Sequence, residues 1–166
     1  MKTYPLLTLI ADDSDDDRLL FSRAVRSLPG FRLVGVTTDG LETAMYLQGF
    51  AAYGNRKKYP FPDLILLDYE MPGYNGLEVL ALLNQATARP KVILWSNSIE
   101  KIDQRLAYEL GAALVCSKPV QVQSVLNALQ ERRSASATPR PWSTPNGWRP
   151  ALAGAMNRLA AIEASP

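Results

Sequence analysis

Five short apolar runs, at 6–11, 31–36, 64–67, 92–95 and 112–116, recur between segments of helical period, and this rhythm constrains the chain more than any other feature. The runs are largely continuous, not alternating, which suits strands buried on both faces of a parallel sheet. Between them, residues 15–28 set Leu19, Leu20, Ala24 and Leu28 on one helical face, and 76–87 set Leu77, Leu80 and Leu83 likewise. Pro29-Gly30 stops the first helix, and Gly111 stands where a left-handed cap would end the fourth. The pattern predicts an α/β fold of the (βα)5 kind, a doubly wound parallel sheet of five strands. Ligands of such sheets bind at the carboxyl ends of the strands, where the winding reverses.

Two segments stand outside the rhythm. Residues 49–62, GFAAYGNRKKYPFP, lengthen the connection into the third strand and read as a surface insertion. Residues 134–150 carry four prolines and no apolar period, as an extended linker would. Beyond them, 151–166 holds Leu152, Met156, Leu159 and Ile162 at a spacing that suits a short helix, marginal without a partner. The expected division is a domain over 1–133, a linker over 134–150 and a tail over 151–166.

Charge follows the same division. Residues 1–131 carry 13 basic and 15 acidic side chains, whereas 132–166 carry five basic and one acidic, so the +2 net charge of the chain belongs to the tail. Arg132, Arg133, Arg140, Arg149 and Arg158 are spread along it without the stripe that a nucleic-acid footprint favours, and read as solvating. With one cysteine, Cys116, and no histidine, disulfide frameworks and the usual zinc sites are excluded, and any metal must be a hard, oxygen-bound one. No apolar run approaches the roughly 20 residues needed to span a bilayer. The amino terminus meets acids too early for a signal peptide, so the expected address is cytoplasmic, without membrane insertion.

Chemistry concentrates at the predicted strand ends. Asp12 and Asp13 follow the first run and Asp68 the third. Converging carboxylates raise one another's pKa unless a cation joins them, and a hard divalent ion such as Mg²⁺ is the natural one. Strand-terminal aspartates also cap helices, so Asp12 and Asp13 alone leave capping and metal binding open. The fourth run ends at Ser96 and the fifth at Lys118, adding a hydroxyl and an ammonium. A carboxylate nucleophile, a hydroxyl donor, a lysine and a metal together make a phosphoryl site, with Asp68 as the nucleophile.

The order Asp-Asp, LILLDYEMPGYNG, ILWSNS and SKP resembles the receiver domain of bacterial two-component response regulators, over residues 5 to 133. The resemblance implies a flavodoxin-like, CheY-like fold and a role for each matched residue. Asp68 would be the phosphoacceptor, Asp13 a direct Mg²⁺ ligand and Asp12 an acid holding the metal through water. Glu70 would lend its backbone carbonyl to the metal, Ser96 would be the conserved hydroxyl and Lys118 the conserved lysine, aimed by a cis bond to Pro119. The long loop before the third strand is similar to stand-alone receivers paired with phytochrome-type sensors, relatives that often dimerise. The implied partner is a sensor histidine kinase or histidine phosphotransfer protein, with nucleic acid not expected. The chain would then be no enzyme beyond its own phosphotransfer and autodephosphorylation. Val115 stands where the family usually carries an aromatic switch residue, and Trp95 replaces the usual aliphatic before Ser96. Adjacent strand residues face opposite ways, so Trp95 cannot stand in for that aromatic and is expected in the core. Gly73 and Gly76 would shape the loop after Asp68, and buried Cys116 would be core. Val115 and the proline-rich tail motivate a competing expectation, a phosphorylation-independent adaptor with a vestigial site.

Overall fold

The runs at 6–11, 64–67 and 92–95 become strands largely buried on both sides, whereas those at 31–36 and 112–116 lie at the edges and leave Arg32, Val36 and Leu114 exposed, against the expectation of burial on both faces. The computed structural model describes residues 4–86, 88–118 and 122–135, with side chains through Glu131. Strands β1 (Leu6–Ala11), β2 (Phe31–Thr37), β3 (Leu64–Asp68), β4 (Lys91–Ser96) and β5 (Leu114–Ser117) form one sheet in the order β2-β1-β3-β4-β5, every pair parallel. Along β3, Leu64 and Leu66 enter one core while Ile65 and Leu67 enter the other, as a two-residue side-chain period demands. The winding reverses at β1, which pairs with β2 on one edge and β3 on the other. This places the crevice at the carboxyl ends of β1 and β3.

Helices α1 (Asp15–Ser27) and α5 (Val122–Ala135) cover the face holding Ile10, Leu66, Ile93 and Trp95. Helices α2 (Gly40–Gln48), α3 (Gly76–Asn84) and α4 (Gln104–Glu109) cover the face holding Leu9, Ile65, Leu94 and Val115. Among the described residues no helix is long and apolar enough to cross a membrane.

Local chemistry sets the helix ends. Ser14 caps α1 by accepting from the Asp17 amide, Asp39 caps α2, and Asn75 with Glu78 closes a capping box on α3. Gly111, at φ +101°, supplies the left-handed turn after α4.

Three further expectations need correction. The buried face of α1 carries Phe21, Ser22, Ala24 and Val25, whereas Leu19 and Leu20 are 51% and 50% exposed. Two apolar stripes lie side by side on this helix, and Phe21, Ala24, Val25 and Leu28 form the one with the i, i+3, i+4, i+7 spacing. Contact between the Phe21 and Trp95 rings, 5.2 Å between centroids, fixes that choice. Helix α3 ends at Asn84, earlier than expected, with Gln85 as its cap. Strand β5 starts at Leu114, two residues late, because the turn at Gly111 runs through Ala112 before the Ala113 amide reaches the Val92 carbonyl.

The insertion at 49–62 is built into the fold. It contains a short 3₁₀ helix, Ala51–Gly54, and its Tyr53, Tyr59 and Phe61 pack against the core. Gly49 ends α2 at φ +67°, and the Arg56 guanidinium donates to the Tyr46, Leu47 and Tyr59 carbonyls at 2.7, 2.6 and 3.2 Å. Carbonyls at a helix end lack partners within the helix, and Arg56 supplies them. Helix α5 runs to Ala135, two residues into the segment expected as a linker over 134–150; the rest of that linker, Pro119 and the tail at 151–166 lie outside the described residues.

Candidate functional site

Parallel strands deliver their last residues to one rim, and the rim here is acidic. Asp12 follows β1 and is wholly buried; Asp68 ends β3 and is 4% exposed; Asp13 is exposed. One carboxylate oxygen from each can be chosen so that all three lie within 4.8 Å of one another. The N-cap of α1 is Ser14, so Asp12 and Asp13 do not cap it. Asp12 instead accepts from the Ser14 amide with Oδ1 at 2.9 Å and from Lys118 with Oδ2 at 2.8 Å.

Lys118 enters from the end of β5 and ties Asp12 and Asp68 to Asp17. Its side chain is 6% exposed, and Nζ lies 2.8 Å from Asp12 Oδ2, 2.9 Å from Asp17 Oδ2 and 3.1 Å from Asp68 Oδ1. Burial draws the lysine pKa down, but the surrounding Asp12, Asp17 and Asp68 more than offset it and hold the ammonium above the ordinary lysine range. Burial lifts the Asp12 pKa, against opposition from Lys118 and the Ser14 amide. It pushes Asp68 up to about 6, Lys118 again opposing and the charges of Asp12 and Asp13 adding to the rise. One ammonium does not neutralise this many carboxylates.

Ser96 ends β4, is wholly buried, and accepts from the Ser98 amide at 3.0 Å. Backbone bonds stitch the rim: the Tyr69 amide donates to the Trp95 carbonyl and the Lys118 amide to the Ser96 carbonyl, each at 2.7 Å. Gly73 takes φ +79° in the loop after Asp68, and a Cβ on Gly76 would lie 2.8 Å from the Asp68 carbonyl oxygen, so both glycines shape that loop. Glu70 is exposed, and its carboxylate pairs with Lys101 at 3.1 Å. Trp95 is fully buried and faces Asp68 in the β3–β4 register, on the core opposite Val115; its indole Nε1 has no partner among the described residues. Cys116 is buried, which raises its thiol pKa.

Asp17 is not marked out by the sequence pattern. Three successive acids in a first helical turn read as partners of the helix dipole, which conceals one that reaches inward. Its signal is geometric: a side chain three residues into a helix points back toward the helix start, here toward the rim. Arg18 also serves the site, donating to the Asp12 carbonyl at 2.7 Å and pairing with Asp15.

A five-stranded parallel sheet in this order, with carboxylates at the ends of β1 and β3 and a lysine after β5, places the chain among flavodoxin-like α/β domains with an acidic rim. The response regulator receiver domain family matches residues 8–130, and the chain belongs to that family. It is similar to a protein-glutamate methylesterase/protein-glutamine glutaminase of Myxococcus xanthus, 33% identical over 116 residues, covering 69% of this chain and 30% of that protein. The chain thus spans under a third of that relative's length. Among solved structures it is similar to the phosphorylated cyanobacterial phytochrome response regulator RcpA, with TM-score 0.69 and 26% identity over 81% of this chain and 98% of that one. The Mn²⁺-bound form of response regulator Rcp1 follows at TM-score 0.63 and 26% identity, over 83% of this chain and 100% of that one.

Proposed function

We propose that this chain is a phosphoacceptor switch in which Asp68 receives a phosphoryl group from a phosphohistidine on a sensor kinase or histidine phosphotransfer protein. The observation that carries the reading is the convergence of Asp12, Asp13 and Asp68 oxygens within 4.8 Å around a lysine 3.1 Å from Asp68. An oxygen of Asp68 attacks phosphorus, the P–N bond to the donor imidazole breaks, and an acyl phosphate forms. Hard carboxylate oxygens fit Mg²⁺, and Asp12, Asp13 and Asp68 would hold it with the Glu70 carbonyl; bound there, it offsets negative charge on the acids and the phosphoryl oxygens. Lys118 pairs with a second phosphoryl oxygen, and the Ser96 hydroxyl, now an acceptor for the Ser98 amide, has its proton free to donate to the third. The phosphorylated state of RcpA and the Mn²⁺ of Rcp1 support the same chemistry by analogy.

The acyl phosphate then biases the rim between two arrangements and so changes what the surrounding surface binds. Val115, without a polar tip, lies in the core with Leu94, so a swinging aromatic at that place does not carry the change. Intact mass after incubation with acetyl phosphate and Mg²⁺ tests the reading. One phosphoryl adduct is expected on the wild-type chain and none on Asp68→Asn. An adduct retained by that variant, or absent from the wild type, overturns it.

A further inference from the structure

Asp17 stands outside the carboxylate trio yet holds the same lysine. We propose that Asp17 is a positioning residue for the phosphoryl site: it carries the Lys118 charge so that Asp12 and Asp68 are released to the metal and the phosphoryl group. The proposal rests on the phosphoacceptor reading above.

Lys118 donates hydrogen bonds to Asp12 and Asp17 at 2.8 and 2.9 Å and forms a third ion pair, at 3.1 Å, with Asp68. Two of these partners, Asp12 and Asp68, belong to the trio that fits a divalent cation. Lys118 and a metal therefore compete for the same two carboxylates, and as neighbouring cations they also repel each other. Asp17 is outside that contest. Its Oδ2, 2.9 Å from Nζ, keeps the ammonium neutralised and within reach while Asp12 turns to the metal.

The local structure holds Asp17 in place for this. Its amide donates to the Ser14 hydroxyl at 3.3 Å, and the Ser14 amide donates to Asp12 at 2.9 Å, so one serine ties both acids to the start of α1. Asp15 and Asp16 occupy the same first turn and supply the charge that the helix dipole favours, so that role does not require Asp17.

A double-mutant cycle on the full chain tests this, with Asp17→Asn and Lys118→Met made singly and together. Mg²⁺ affinity is read by titration calorimetry, and the rate of adduct formation from acetyl phosphate is read at saturating Mg²⁺. With Lys118 present, losing one charge-assisted bond is expected to weaken Mg²⁺ about fivefold and slow the adduct about tenfold. With Met at 118, both losses should fall below about twofold, since the lysine through which Asp17 acts is gone. Asp17→Glu, which keeps the charge, should recover most of the rate. Equal losses in both backgrounds, or none in either, overturn the proposal.

If Lys118→Met does not fold, Asp16→Asn serves instead: it removes the same charge from the same turn, and an effect equal to that of Asp17→Asn overturns the proposal. A wild-type chain that takes no phosphoryl group defeats the phosphoacceptor reading, and the Mg²⁺ titrations still decide the role of Asp17.

Discussion

Asp68 sits where its own ionisation works against the fold. Burial and the neighbouring carboxylates raise its pKa from 3.8 to about 6, so the folded chain binds a proton that the unfolded chain releases. The stability this proton brings is fully present below pH 3.8 and is lost as pH rises through about 6. Without metal, Asp68→Asn should therefore be more stable than the wild type at pH 7.5, by about 1–3 kcal/mol, and that advantage should shrink toward pH 4.5. Urea melts in EDTA at the two pH values check this, and a gap that does not narrow in acid would contradict it. Asp12, Asp13, Asp68, Ser96 and Lys118 were legible as strand-end residues because a mostly apolar run that gives way to polar residues marks where its strand stops. Asp17 was not, because its role depends on which way the first turn of α1 faces, and that is set by tertiary packing.

At the scale of elements, the central strands were legible because burial on both faces leaves a simple mark in composition, and the half-exposed edge strands β2 and β5 followed from their place in the same rhythm. The orientation of α1 was less so: its two apolar stripes compete, and the Phe21–Trp95 contact that decides between them joins residues far apart in the chain. The insertion at 49–62 carried no period, and its purpose emerges only once Arg56 is seen against the end of α2. Arg56→Ala should cost about 2 kcal/mol, since it takes the guanidinium from the Leu47 carbonyl at the end of α2 and removes the tether of the loop. Hydrogen exchange should then quicken in α2 and 49–62 while β3 and β4 stay protected; uniform loosening would show that the arginine does not act locally.

For the whole molecule, two apolar cores clamp a sheet whose acidic rim carries more negative charge than Lys118 alone neutralises. A divalent cation that binds only the folded state should relieve this, raising stability by about 1.4 kcal/mol at ten times its dissociation constant. Asp13 is exposed, so Asp13→Ala should leave metal-free stability within about 0.5 kcal/mol of the wild type. The same variant should lose most of the stabilisation from Mg²⁺. Thermal melts with and without Mg²⁺ separate the two effects, and an undiminished gain in the variant would remove Asp13 from the ligand set.

The pairing of Trp95 with Asp68 across the β3–β4 register has one more consequence. An indole wholly shielded from water, one strand away from Asp68, is a built-in optical gauge. Once Trp142 and Trp148 are replaced by phenylalanine, the tryptophan emission of this chain, excited beyond the tyrosine absorption, comes from Trp95 alone, and light can follow events at the rim in real time without an attached dye.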